Sequence, residues 1–209
     1  MTRSRRYGDA GQAFPIYITV VGGLLFLALA YFAVGQAAVN RNGAQTAADA
    51  AALAAAQDTR DALAGRWVQD LLDPEKWEAI FNGRVDGIGS TCGRAYELAA
   101  RNDARVLGCD PVGLLAYTVE VETNKSVGKS IVPDTETRKS DASATAVIEP
   151  RCTFQLPAEE EAAEEEAAEE EDVLPLLTCD GERWELDPEG PVELLPEPED
   201  LFEVHLATD

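Results

Sequence analysis

The chain has 209 residues, a formal net charge of −22 and a sequence pI near 4.2. That length suits one modest domain with appendages rather than two full cores. The charge argues against nucleic acid as a partner and against a broad basic face on an anionic membrane.

The charge is also uneven, because residues 1–40 carry Arg3, Arg5 and Arg6 against Asp9 and so leave the acidity to the remainder. From Ala10 to Asn40 no residue is charged, and FPIYITVVGGLLFLALAYFAVG, Phe14 to Gly35, is an apolar run. About 20 such residues cross a bilayer as a helix. The reading is a basic cytoplasmic tail over 1–12 and a transmembrane helix over 13–37. The arginine cluster puts the N-terminus in the cytoplasm and the long acidic part outside, in a single-pass protein of the cell membrane. Pro15 falls in the first turn, and Gly22-Gly23 is tolerated in a membrane helix. A cleaved signal peptide is the alternative, with AVGQA, Ala33 to Ala37, as its cleavage region. Ordinary signal cores are only about 7–15 residues long, which favours a retained anchor.

Next comes AQTAADAAALAAAQDTRDAL, Ala44 to Leu63, read as an Ala-rich helical stalk over 38–66. Alanine loses no side-chain entropy on entering a helix, so such a window favours helix without a partner. Asn42-Gly43 marks a flexible joint between span and stalk. Ala44, Ala47, Ala48, Ala51, Ala52 and Ala55 recur at spacings of three and four, a face on which another backbone can approach closely. Its partner would be a second copy, neighbouring helices of an assembly, or the chain's own exported domain. A spacer without a partner is the plainer reading.

The basic tail, Gly11-Gln12, the span opening AFPIYITVVGG and the element QTAADAAALAAA, Gln45 to Ala56, together resemble the N-terminal module of Flp/Tad pilus-assembly proteins of the TadE/TadG-like group. The resemblance covers roughly residues 8–60. It implies a minor pseudopilin-like membrane component of a pilus or secretion assembly. Its partners would be membrane lipid and either other assembly proteins or itself, met through the N-terminal helix. Relatives that are cut after a glycine carry a glutamate five residues into the mature chain. Counting from Gly11, that position holds Ile16, and the next acid is Asp49, so an unprocessed anchor is expected.

Residues 67–157 read as an exported α+β domain. DTRDALAGRWVQDLL extends or restarts the helix, PEKWEAIF starts a short one with Pro74 in its first turn, and Ser90–Asp103 forms a third. Trp67, Leu71, Trp77 and Phe81 are its candidate core, with a docking face for the rod as the alternative. The period then falls to two. Leu115, Tyr117, Val119 and Val121 alternate with polar neighbours, and Ala142, Ala144, Ala146 and Ile148 do the same, the pattern of two half-buried strands. Between them lies a turn-rich connection holding all but one of the lysines. Helix first and antiparallel sheet second is also the general plan of pilin-like exported domains.

AEEEAAEEEAAEEED, Ala158 to Asp172, repeats with a period of five and reads as an acidic, disordered loop over 158–172, because its like charges meet at helical spacing. Residues 173–209 read as strands that pack back on the domain, with Asp180-Gly181 turning a hairpin that carries Trp184. Cys92, Cys109, Cys152 and Cys179 all lie beyond the span, an even number suited to an oxidising compartment. Three pairings are possible. Proximity favours Cys92 with Cys109 and Cys152 with Cys179, while the spacing does not suit zinc.

No recognisable nucleophile, base, phosphate loop or metal-ligand motif is present, so no catalytic, cofactor-binding or metal residue is assigned. His205, in an alternating terminal segment, reads as a surface or half-buried residue. The function expected is a non-enzymatic pilus or secretion-assembly component that packs through its N-terminal helix and presents an acidic domain. A membrane-tethered or secreted binding protein unrelated to pili is the alternative.

Overall fold

The computed structural model describes residues 13–88, 91–128, 136–156, 174–187, 190–191 and 194–208. Helix α1, Ala13–Gln69, dominates the molecule. At 1.5 Å per residue it is about 85 Å long. It passes through Asn42-Gly43 without a break, so the joint expected there is not formed. A Cβ added at Gly43 would meet nothing within 4 Å, and a lone glycine inside a long helix costs entropy without deflecting the axis. Replacing Gly43 by alanine should therefore raise stability, by about 0.5–1 kcal/mol, in a denaturant titration of the full chain.

After α1 come a 3-10 turn, Pro74–Lys76, and the short helix α2, Trp77–Phe81. Pro74 opens the turn, where its missing N–H costs nothing. Asp70 receives the Lys76 ammonium (3.2 Å) and its backbone carbonyl accepts the Trp77 indole N–H (3.1 Å). The Lys76 ammonium, with the Arg66 charge, holds the Asp70 carboxyl below the usual carboxylate range although the desolvation of its site opposes them. Helix α3, Cys92–Arg101, buries Ala95 and Ala99 and is joined to α1 by the buried Thr59–Thr91 hydroxyl contact of 2.8 Å.

A four-stranded antiparallel sheet follows, in the order β1-β2-β3-β7: β1 Ala104–Pro111, β2 Ala116–Thr123, β3 Asp141–Pro150 and β7 Phe202–Leu206. Strand β1 has no counterpart in the sequence reading, which ends the preceding helix at Asp103 and resumes strand only at Leu115. Its ladder shifts register between Val106 and Gly108, so Leu107 interrupts the alternation that would have announced it. A second sheet joins β4 Cys152–Thr153, β5 Leu177–Cys179 and β6 Glu182–Trp184. The β5–β6 turn sets Asp180 at φ 49° and Gly181 at φ 86°, the left-handed pair that a two-residue hairpin requires. A last helical turn, α4 Pro198–Leu201, leads into β7, whose pairing with β3 returns the tail to the main sheet. The acidic run Ala158–Asp172 lies outside the described residues.

Helix α1 lies against β3, α3 and β2. The alanine segment is thus inside the domain rather than a stalk beneath it, and the boundary drawn at residue 66 does not separate two bodies. Small residues on both sides explain the close fit. The strip from Ala47 to Ala56 shares one core with Ala146, Val119 and Val121, and Ala142 and Ala144 pack at its edge. Toward the far end of α1 the core thickens into linked rings. Trp67 meets Trp77 at 5.4 Å, Trp77 meets Phe154 at 5.3 Å, and Phe81 meets Phe202 at 5.4 Å between centroids. The cystines Cys92–Cys109 and Cys152–Cys179 fasten α3 to β1 and β4 to β5.

Candidate functional site

Helix α1 changes character along its length. From Phe14 to Val39 its large apolar side chains face outward, Tyr31 with 82% and Val39 with 72% of its surface free. The helix is long and apolar enough to cross a membrane. From Ala44 onward one face is sealed, and Ala44, Ala47, Ala48, Ala51, Ala52 and Ala55 are each 0% exposed. Of the partners open to that face, the one it meets is the chain's own domain. The face cannot at the same time receive a second copy, and the exposed apolar surface of α1 lies on Phe14–Val39.

Overpacking tests this seam. Ala51→Leu should cost about 1–3 kcal/mol, because neither helix nor sheet can retreat without opening the seam. Ala38→Leu, on the exposed stretch, should stay within about 0.5 kcal/mol. Thermal unfolding of both variants in detergent checks the contrast.

The two regimes meet at a polar collar. Asn40 donates through Nδ2 to the Lys125 carbonyl (3.1 Å), and its Oδ1 lies 3.3 Å from the Thr123 hydroxyl. The Ser140 N–H donates to that hydroxyl (3.1 Å), and the Val127 N–H donates to the Arg138 carbonyl (2.8 Å). These bonds clamp the β2–β3 connection onto α1. Beside the clamp, Tyr31, Phe32, Gly35, Gln36, Val39 and Val127 line most of an open notch of about 470 Å³. Within the helix wall, Gln36 Oε1 is buried and has no hydrogen-bond partner. Lys125 stands at the rim, its ammonium 2.9 Å from Asp103, and both side chains are largely exposed.

The sequence reading missed this collar. Asn40 entered it only as the end of the uncharged run, although a polar residue there, together with lysines gathered in one strand connection, is the signal that could have found it. The cysteines lie elsewhere, in two separate bonds within the domain. Among the described residues no group of histidine, cysteine and carboxylates could hold a metal.

His205 sits on β7 with Nδ1 3.1 Å from the Leu206 carbonyl and Nε2 3.4 Å from Glu149. The backbone carbonyl chiefly raises its pKa above the ordinary histidine value against the desolvation of its site, with Glu149 and Glu203 adding to the rise. A raised folded pKa adds stability that is complete below the unfolded value, near 6.5, and lost as pH climbs through the folded one. Relative to His205→Gln, the native chain should therefore lose stability as pH rises from about 5.5 to about 8. Melting curves across that range check the sign.

Residues 11–58 match the family model described as "Putative Flp pilus-assembly TadE/G-like". The matched segment ends inside α1, so it takes in the exposed apolar half, the collar residue Asn40 and the buried alanine strip. It places a TadE/G-like module at the start of a chain whose remainder is a small α+β domain. No curated protein and no solved structure matches the chain.

Proposed function

We propose that this chain is a non-enzymatic, single-pass membrane component of a Tad/Flp-type pilus or related secretion assembly. Phe14–Gly35 crosses the membrane with the N-terminus in the cytoplasm, and the disulfide-fastened acidic domain stands outside. The observation that carries the reading is the family match over residues 11–58, which falls on a helix whose first half is apolar on every face. A run of 22 residues rises about 33 Å, close to the thickness of a hydrocarbon core. The arginines before the span and the cystines after it agree with that direction. Because the alanine face is occupied, contacts with other assembly proteins are assigned to the outward residues of the span, such as Leu24, Leu27 and Tyr31.

Photo-crosslinking groups placed singly along Phe14–Val34 in intact cells test this. The expected result is capture of pilus-assembly membrane proteins at positions one helical turn apart. Capture of lipid alone at every position, with export and pilus formation unchanged when the chain is deleted, would leave a tethered binding protein unrelated to pili.

A further inference from the structure

The geometry points to strand addition: the uncovered half of β3, Asp141 to Thr145, pairs with an extended segment of a partner protein that carries a lysine or arginine opposite Ala144. The inference goes beyond the proposed function, since it gives the exported domain a contact of its own. Strand β3 runs from Asp141 to Pro150, yet β7 pairs only with Ala146 to Pro150. The Ala207 N–H makes the last bond of that ladder, to the Thr145 carbonyl (2.8 Å), and Thr208 is exposed. In an antiparallel sheet a residue turns both its backbone groups to one side, and successive residues alternate. The Ile148 N–H donates to Leu115 on the β2 side, whereas the Thr145 carbonyl accepts from the β7 side. Even-numbered residues of β3 therefore face β2 and odd-numbered ones face away from it. Asp141 and Ser143 turn their N–H and C=O groups to an edge that no described strand covers, and the Gln45 amide reaches the Ser143 carbonyl only at 3.5 Å.

Beside that edge lies a slot of about 420 Å³ between α1 and the end of β7, with Gln45, Asp49, Ser143 and Ala207 among its walls. A strand entering it carries on the line of β7. Ala144 faces α1, so the residue set opposite it points its side chain at Gln45 and Asp49. The Asp49 carboxylate accepts from the Gln45 amide (2.8 Å), and among the described residues no cation engages it. Asp141, exposed at the collar end of the same edge, adds a second negative charge. A lysine or arginine on the added strand supplies the missing cation.

The other two edges are closed to such an addition. Strand β1 shifts register between Val106 and Gly108 and ends at Pro111, which has no N–H. Strand β7 is short and carries the exposed Glu203. Bulges, prolines and short charged strands are the devices that keep sheet edges from pairing. The open half of β3 has no proline, bulge or lysine. A second copy does not fit there either. Parallel pairing through the same edge would drive its own Ala146 to Pro150 into β7. Antiparallel pairing puts the twofold axis normal to a sheet on which α1 lies, so the two anchors would point in opposite directions. That last exclusion rests on the membrane reading above.

The test is amide hydrogen exchange on the full-length oxidised chain in detergent micelles, with the peptide acetyl-Thr-Lys-Thr-Val-Thr-amide as the probe. Without peptide, the Asp141 and Ser143 amides should exchange faster than those of Ala142 and Ala144, which are bonded to β2. With a dissociation constant on the order of 0.1 mM, about 1 mM peptide should slow the first two about tenfold and leave the others unchanged. Methylating the backbone nitrogen of the central threonine should abolish the effect. Asp49→Asn should weaken binding by about fivefold, while Asp110→Asn, on β1, should leave it unchanged. Exchange at Asp141 and Ser143 that the peptide does not slow, or that the methylated peptide slows equally, would overturn the inference. Protection present without peptide and constant on dilution would show that the chain covers its own edge, and protection lost on dilution that a second copy does. Either overturns it. None of these outcomes touches the span, whose crosslinking tests the proposed function separately.

Discussion

Replacing Trp67 by alanine should lower the stability of the domain by about 3–5 kcal/mol and its melting temperature by roughly 10 °C or more. Trp67 is 0% exposed and stands where α1 leaves the alanine strip, with its ring tilted against Trp77. Truncation removes the first ring of the series that runs through Trp77 and Phe154. The cavity would open between α1 and the 3-10 turn, where the surrounding chain is held by Asp70 and cannot simply close. A second substitution makes the cause visible. The Trp67 indole N–H is buried and has no hydrogen-bond partner, so Trp67→Phe removes an unpaired donor along with some volume. It should cost no more than about 1.5 kcal/mol. Denaturant unfolding followed through the remaining tryptophans measures both. Equal losses for the two variants would show that ring packing is not the source.

Loss of the Cys152–Cys179 bond should be nearly as damaging. The bond joins residues that are direct partners across β4 and β5, at a sequence separation of 27, and both side chains are buried. Opening a loop of that size releases about 3–4 kcal/mol of unfolded-chain entropy. The loop also contains the acidic run Ala158–Asp172. Neighbouring contacts would suffer too. Arg151 donates to the Glu199 carbonyl at 3.1 Å and pairs with Asp180 of the hairpin turn, so the small sheet and α4 share one anchor point. In Cys152→Ser/Cys179→Ser, hydrogen exchange should accelerate first in β4–β6 and α4, while the alanine seam stays protected. Loss of protection in the seam at the same rate would mean that the domain unfolds as one unit.

Much of this architecture was legible in the chain, and the reasons differ by segment. The long apolar helix announced itself, because the uncharged run from Ala10 to Asn40 is long enough for a span and holds large apolar side chains on all sides. Strands β2 and β3 were readable because one buried face forces strict alternation, visible in Val119 and Val121 and again in Ala146 and Ile148. The Asp180-Gly181 turn followed from the left-handed backbone that few other residue pairs accept. Strand β1 was hidden by its interruption at Leu107 and by Gly108 and Pro111, residue types that strands disfavour. The alanine segment was recognised as a packing face, yet its partner was not, since small residues specify closeness and carry no record of what comes close. The collar escaped for a similar reason. Asn40 lies 83 residues before Thr123 and 85 before Lys125, and only the fold brings it to them.

The central claim is that Phe14–Gly35 lies in lipid and continues as one rigid helix into the core of an exported, oxidised domain. Alkaline extraction of membranes from cells making the full chain, followed by non-reducing electrophoresis and N-terminal sequencing, tests it most directly. The account predicts a chain that stays in the membrane pellet, begins upstream of Phe14 and shifts in mobility only after reduction. A soluble product beginning beyond Ala37, or one whose four thiols are free, would contradict it.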